Sequence, residues 1–393
     1  MATPVLRRGA FARYEANLLR HMNVFGELPL EYRDVPAEER RRRIVAAKAA
    51  LGDALVILGH NYQNDEIVSY SDHTGDSYQL SVAAARNEHA RHIVFCGVSF
   101  MAETADILTD GRRDVVLPSM EASCPMAGMA EMVQVAKGWQ LVADVIGEEN
   151  LVPVAYINSY ADLKAFVGEK GGVICTSANA DKAFRWAWEK SAPALAGRRP
   201  VIVFFPDKHL ATNTALDLGI PQRAIAALDP WRSDTSPDAR ARLAEARVVA
   251  WEGYCQVHDR FKADHVRDIR AARPGIQVVV HPECRREVVE LADHVGSTSK
   301  IIEIVAKSPA GSSWAIGTEV HLVRRLANDH PDKYIVQLCG EACLDCNAMR
   351  QVQPEYLLWV LEELVKGRVQ NRIQVPDEER ALAKVALQRM LEL

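Results

Sequence analysis

Three cysteines, Cys124, Cys255 and Cys346, lie far apart in a chain of 393 residues, and each follows a cluster of polar side chains. Structural zinc sites are usually built from paired short loops, which these positions lack. Thiols converging from three separate points suit a [4Fe–4S] cluster better, because such clusters favour all-thiolate ligation. Three ligands for four irons leave one iron open, and an open iron acts as a Lewis acid on a hydroxyl, carbonyl or carboxylate. The third position is doubled, since Cys343 precedes Cys346 in a C-x-x-C pair. Glu121 and Glu252 stand three residues before their cysteines, whereas Glu341 stands two before Cys343 and five before Cys346. Spacing alone therefore leaves either thiol as the third ligand. A thioredoxin-like role for the pair would need a preceding strand and an attacking cysteine at a helix start.

Proton transfer and anion binding have their own candidates. His60, His281 and Glu283 stand at the ends of β-type runs, beside Tyr62, Tyr156 and Asn158. Glu283 suits removal of a proton from carbon or nitrogen, while the tyrosines and histidines donate to carbonyl and hydroxyl oxygens. Ser77, Ser177 and Thr298 each precede helix-period sequence, where a hydroxyl normally caps exposed backbone N–H groups. Three helix N-termini aimed at one centre also form a positive cradle, so the expected substrate is an anion.

The elements that would position these groups recur. Residues 54–58, 151–155 and 277–280 are short apolar, β-branched runs that stop at polar groups, the pattern of buried parallel strands. Each is followed by a hydroxyl-bearing turn at Gly75-Asp76-Ser77, Thr176-Ser177 or Gly296-Ser297-Thr298. A helix pattern and another strand then lead to a third polar cluster: Phe100-Met101-Ala102-Glu103, Pro206-Asp207-Lys208-His209 or Gly317-Thr318-Glu319. A cysteine closes each series. Ordinary β–α alternation would repeat strands without repeating the chemistry at their ends, so internal triplication is the expectation. Alternating strands and helices give parallel sheets with right-handed crossovers, and ligands bind beyond the carboxyl ends of such strands. The expected units are 1–136 with N-terminal helices, 137–262, and 263–393 with a C-terminal helix. Residues 190–200 and 229–237 are breaks in the middle unit, and the second accounts for that unit's longer path to its cysteine. Pro376 and Asp377 start a final helix, with Ala381, Val385 and Met390 at helical spacing for packing. Cys96, Cys175 and Cys284 sit in or beside strand runs and read as core.

Composition narrows the field. The net charge is −5, which offers no basic surface to nucleic acid or acidic lipid. No apolar run approaches the roughly 20 residues of a membrane span, and no signal-peptide core follows the N-terminal arginines. Eight cysteines in so long a chain fit a reducing compartment, so a cytoplasmic location is expected. Neither a Walker A loop nor a Gly-x-Gly-x-x-Gly fingerprint is present, which argues against ATP or NAD as cofactor.

Taken together the clusters resemble the quinolinate synthase (quinolinate synthetase A) family. The resemblance rests on Gly59-His60-Asn61-Tyr62-Gln63, Gly75-Asp76-Ser77, Phe95-Cys96-Gly97-Val98, Tyr156-Ile157-Asn158 and Cys175-Thr176-Ser177-Ala178-Asn179. It continues through Pro206-Asp207-Lys208-His209-Leu210, the Trp251 to His258 segment, His281-Pro282-Glu283, Gly296-Ser297-Thr298-Ser299 and the Cys343 to Cys346 segment. It implies an α/β fold of three pseudo-threefold-related, three-layer αβα sandwich domains with parallel sheets around a central iron–sulfur cluster. It also implies condensation of iminosuccinate (iminoaspartate) with dihydroxyacetone phosphate to quinolinate, phosphate and water in NAD biosynthesis, with L-aspartate oxidase as a source of iminosuccinate. By the same resemblance Cys124, Cys255 and Cys346 hold the cluster, the last because it directly precedes Asn347-Ala348-Met349. Substrate contacts would be His60, Ser77, Tyr156, Ile157 through its backbone, Asn158, Ser177, His281, Pro282, Glu283 and Thr298. Catalysis would fall to Glu283, Tyr62, His60, Tyr156 and His258, with Tyr62 matching a mobile tyrosine. Two rivals stand beside this reading. One is an aconitase-like hydro-lyase, which also uses three cysteines and an open iron. The other is a non-catalytic iron–sulfur sensor, which the absence of a basic output surface disfavours.

Overall fold

A computed structural model describes residues 28–194, 200–229, 236–340 and 345–393. The apolar runs form strands at the expected places. The first sheet contains β1 (Leu55–His60), β2 (His73–Gly75), β3 (His92–Cys96) and β4 (Asp114–Val116). The second contains β5 (Leu151–Tyr156), β6 (Val173–Cys175), β7 (Val201–Phe205), β8 (Ile225–Leu228) and β9 (Val248–Trp251). The third contains β10 (Gln277–Val280), β11 (His294–Val295), β12 (Ser313–Gly317) and β13 (Tyr334–Gln337). Within each of these groups every pairing is parallel. β1 and β5 are buried at every position, the pattern required when helices cover both faces.

The strand orders match. The sheets run β2-β1-β3-β4, β6-β5-β7-β9-β8 and β11-β10-β12-β13. In each, the first strand is flanked by the second and third, so its carboxyl end faces the middle of the sheet's edge, where ligands bind in open α/β sheets. The long path of the middle group has a cause among the described residues. β8 and the helix Pro237–Glu245 are added between β7 and β9, and Ser236 caps that helix by accepting from the Ala239 N–H. Residues 195–199 and 230–235, within the two predicted breaks, lie outside the described residues.

The C-terminal segment departs from sequence order. β14 (Arg372–Ile373) joins β4 antiparallel, and the helix Pro354–Val365 packs on the helix Ala37–Leu51. The final helix, Asp377–Glu392, packs on the helix Ala161–Glu169. Leu357, Leu387 and Met390 accordingly share one core with the first and second sheets, while the third sheet carries separate cores on its two faces. The final helix forms as expected, but its buried stripe is Glu379, Ala383, Ala386, Leu387 and Met390. Ala381 and Val385 face solvent. Contact is closest at Gly168, where an added Cβ would meet the Leu382 carbonyl oxygen at 1.9 Å. The missing side chain at Gly168 permits that approach to the Leu382 backbone, and the spacing of the larger apolar residues does not report it.

Candidate active site

The strand ends meet in one pocket. His60 and Tyr62 reach it from β1, Tyr156 and Asn158 from β5, and His281 and Glu283 from β10. Ser77, Ser177 and Thr298 line it from the three turns that follow β2, β6 and β11. None of these three hydroxyls has the capping role expected of it. Asp76 caps the helix Ser77–Arg86 in a capping box with Gln79, and Ser297 caps the helix Thr298–Lys307 by accepting from Lys300 N–H. In the middle turn Asn179 Oδ1 accepts the Thr176 N–H at 2.7 Å. Ser77 and Thr298 stand one step, and Ser177 two steps, from the residue that satisfies the local backbone, and all three line the pocket. Among the described residues no lysine or arginine lines the pocket. Helix N-termini and neutral donors are what it offers an anion.

Ile157 and Pro282 are not part of the lining. The Ile157 N–H donates to the Cys175 carbonyl at 2.8 Å and its carbonyl accepts from Ser159. The Pro282 carbonyl accepts from Asn213. These backbone groups hold the turns that present Asn158 and Glu283.

Glu283 sits at the centre of a buried polar chain. Its Oε2 lies 2.5 Å from His258 Nδ1 and 3.7 Å from His281 Nδ1. His258 and His281 stack with ring centroids 4.3 Å apart. Burial pushes the Glu283 carboxyl up, but the imidazoles of His281 and His258 and the hydrogen bond from His258 outweigh it and hold its pKa at about 2. Burial drives His281 to about 3, with His258 adding to the effect, and burial plus Arg325 does the same to His60. Both rings are therefore neutral near neutral pH. With Glu283 ionised, His258 Nδ1 carries the proton of their hydrogen bond. Thr318 Oγ1 lies 3.2 Å from Nε2 and 2.7 Å from the Tyr62 hydroxyl. The chain then runs Tyr62 to Thr318 to His258 to Glu283. Burial and the nearby Glu283 charge both raise Tyr62 and Tyr156, so each keeps its proton as a donor. Among the described residues, the buried acceptors without a hydrogen-bond partner include two on residues that line the pocket, Glu283 Oε1 and Asn158 Oδ1. A buried acceptor left without a partner is costly unless a ligand meets it.

Cys124, Cys255 and Cys346 line the same pocket. Burial pushes the Cys124 thiol up to about 11 and Cys346 to about 12, and raises Cys255 well above its ordinary value. The thiols also act on one another, since Cys255 feels both Cys346 and Cys124. Three half-buried thiols, with no lysine or arginine among the described lining residues, fit a soft, positively charged iron group that would hold them as thiolates. Cys255, His258 and Glu283 have ligand atoms within 4.8 Å of one another, a set that a lone metal ion could also use. Both nitrogens of His258 are already engaged, however, which leaves that set only the Cys255 sulfur and Glu283 Oε1. The loops carrying two of the cysteines are held by buried acids from the third polar clusters. Asp207 accepts the Cys255 N–H at 3.1 Å and caps the helix Lys208–Asp217, and Glu319 accepts the Cys346 N–H at 3.4 Å and caps the helix Val320–Asp329. Gly253 lets this happen in the middle group, because a Cβ there would meet the Pro206 carbonyl oxygen at 2.4 Å. Cys343 lies outside the described residues, whereas Cys346 begins the short helix Asn347–Arg350 as its N-cap. Cys96, Cys175 and Cys284 are fully buried.

Thr318, Asp207 and Glu319 are the site's supporting residues that sequence reasoning did not single out, although the recurrence of polar clusters after the third strand of each group marked their positions.

Comparison with known proteins gives one consistent result. A family model described as Quinolinate synthetase A protein matches residues 42–392. The chain is 54% identical over 367 residues to a quinolinate synthase of Haloarcula marismortui, covering 93% of this chain and 95% of the relative. It is 46% identical over 370 residues to that of Rhodopirellula baltica, with 92% of each chain covered. It is 48% identical over 354 residues to that of Streptomyces coelicolor, covering 89% and 87%. With three sheets of mainly parallel strands, strand-end donors and cysteines lining one shared pocket, and matches that span nearly its whole length, the chain belongs to the quinolinate synthetase A family.

Proposed function

We propose that this protein is a quinolinate synthase, condensing iminosuccinate with dihydroxyacetone phosphate to give quinolinate, phosphate and water in de novo NAD biosynthesis. The observation that carries the reading is one pocket combining three thiols, a buried ionised carboxylate and the hydroxyls of three turns. Cys124, Cys255 and Cys346 would hold a [4Fe–4S] cluster. When bound, that cluster supplies a Lewis acid for a leaving hydroxyl. Its three thiolates and the three sheets favour a pseudo-threefold arrangement of αβα units with limits near 1–136, 137–262 and 263–393, the last returning its tail to the first two.

The chain's own residues supply binding and proton movement. Both substrates are anions, and Ser77, Ser177 and Thr298 at the turns, with Asn158, give them donors and positive helix ends in place of lysine or arginine. Glu283 Oε1 is open to accept a proton from the imine or its adjacent carbon as the enamine forms. His60 and His281 are neutral, so they polarise carbonyl and hydroxyl oxygens without binding an anion so tightly that the product cannot leave. Tyr156 and Tyr62 keep their protons and donate toward oxygens that gain charge, with Thr318 and His258 linking Tyr62 to the base. Phosphate departs as an anion and needs no nucleotide. We place the enzyme in the reducing cytoplasm, where the seven described cysteines remain free thiols, and assign its iminosuccinate to L-aspartate oxidase. No helix among the described residues is long and apolar enough to cross a membrane.

The direct test is to supply anaerobically purified protein with both substrates and measure quinolinate and phosphate. Equal amounts of the two support the reading. Hydration or dehydration of citrate-like acids without quinolinate would transfer the site to an aconitase-like hydro-lyase, and iron without either activity would favour a sensor.

A further inference from the structure

The helix that follows the third strand of each sheet reaches across to the strand-end turn of another. Asn213, buried on the helix Lys208–Asp217 that follows β7, donates both amide protons to the turn after β10. Its Nδ2 lies 2.9 Å from the Pro282 carbonyl oxygen and 2.8 Å from that of Cys284. Those two carbonyls flank Glu283. Two carbonyl acceptors at this distance can only be met by the NH2 group, which fixes the amide's orientation. The same helix face holds this turn at its ends. His209 bonds Asp259, which in turn bonds Arg285, and Asp217 pairs with Arg286. His209, Asn213 and Asp217 are spaced four apart, so they form one stripe.

An equivalent contact joins another pair of sheets. Arg325, on the helix Val320–Asp329 that follows β12, donates to the carbonyls of Asn61 and Gln63, the latter at 3.1 Å, and pairs with Asp65 at 3.0 Å. Those carbonyls flank Tyr62. Asn213 and Arg325 each stand six residues after the acid that caps their helix, Asp207 and Glu319. On the helix Ser99–Leu108 that follows β3, Glu103 accepts the Ala161 N–H at 2.8 Å, three residues past Asn158. The three helices thus grip the strand-end turns of β5, β10 and β1 in rotation.

We infer that Asn213 and Arg325 are positioning residues for the reaction, each fixing one proton-transferring side chain through the two carbonyls beside it: Asn213 for Glu283 and Arg325 for Tyr62. This rests on the proposed roles of Glu283 and Tyr62. Neither residue lines the pocket, so each acts through the turn it holds and sets the angle of the side chain between the two carbonyls. A displaced reacting group costs rate with little change in the binding of substrates held elsewhere.

The test uses full-length, cluster-containing enzyme. N213A and R325M should each lower kcat about 10- to 100-fold, with KM for both substrates changed less than about threefold and iron content unchanged. Coupling is the decisive readout. N213A should cost less than about threefold when added to E283Q but nearly its full factor when added to Y62F. R325M should show the reverse pattern. If N213A fails to fold, N213S retains a hydroxyl donor for one carbonyl and should lose less than tenfold, and R325K plays the same part for Arg325. Wild-type kcat in these variants, or losses that multiply equally in both backgrounds, would overturn the inference. A wild type that forms no quinolinate would instead overturn the functional reading, and the catalytic meaning of both contacts with it.

Discussion

Replacing Thr318 by valine isolates the link between Tyr62 and the base. The hydroxyl is fully buried and is the nearest partner of the Tyr62 hydroxyl at 2.7 Å, with His258 Nε2 at 3.2 Å on its other side. Valine fills the same volume but removes the hydroxyl that bonds both neighbours. Tyr62 is left with His258 Nε2 at 3.4 Å, too long to replace what is lost. Leaving a buried polar group without its partner costs about 1–3 kcal/mol. At about 1.36 kcal/mol per tenfold change in rate, this corresponds to roughly 5- to 150-fold in kcat if the chain is used in the transition state. The Thr318 bond also lowers the Tyr62 pKa, so its removal makes the phenol a still weaker acid and acts in the same direction. The assay is steady-state quinolinate formation beside urea unfolding and an iron count on the same preparation. A loss of stability with kcat within twofold of wild type would refute the link and leave Thr318 a packing residue.

Four further outcomes are expected. Glu283→Gln should keep its iron and lose about 10²–10⁴-fold in turnover, and near-normal quinolinate formation would remove Glu283 as base. Asp76 and not Ser77 caps its helix, so Ser77→Ala should weaken apparent substrate affinity with little change in melting, whereas Asp76→Ala should cost about 0.5–2 kcal/mol of stability; paired calorimetry and kinetics separate the two. Hydrogen bonding from Arg368 holds Glu363 at about 2, below its ordinary 4.5, so its contribution to stability is present above the ordinary value and is lost as pH falls toward 2. Glu363→Gln should therefore be less stable than wild type at neutral pH, the gap in urea midpoint closing through that acid window; a gap independent of pH would contradict the assignment. Cys346→Ser should abolish the visible chromophore of anaerobically purified protein, while Cys343→Ser keeps it under reducing conditions, and the opposite pattern would make Cys343 the ligand.

The strands and their order of chemistry were legible because both depend on local signals. Runs such as Leu151–Tyr156 are apolar on both faces, and the polar residues that end them cannot continue into a covered sheet. Helix starts were legible too, but which residue caps was not. Asp76 and Ser297 differ from Ser77 and Thr298 by one position, and a one-residue step decides whether a hydroxyl meets backbone or pocket. The final helix was placed correctly, with Met390 buried as expected but Ala381 and Val385 exposed, because its closest approach brings the Leu382 backbone against Gly168. The recurring polar clusters marked the position of Thr318 but not its partners, and Asn213 and Arg325 gave no readable signal of their own. Their partners lie 256, 69 and 262 residues away for Tyr62, Pro282 and Gln63, so their meaning exists only once three sheets are assembled.

The central claim, three cysteines holding a cluster with one iron left for substrate, is tested most directly by Mössbauer spectroscopy of iron-57 protein purified without oxygen. The expected spectrum has four irons in about a three-to-one division, with the minority site alone shifting when either substrate is added. Zinc in place of iron, or four equivalent irons that ignore substrate, would contradict it.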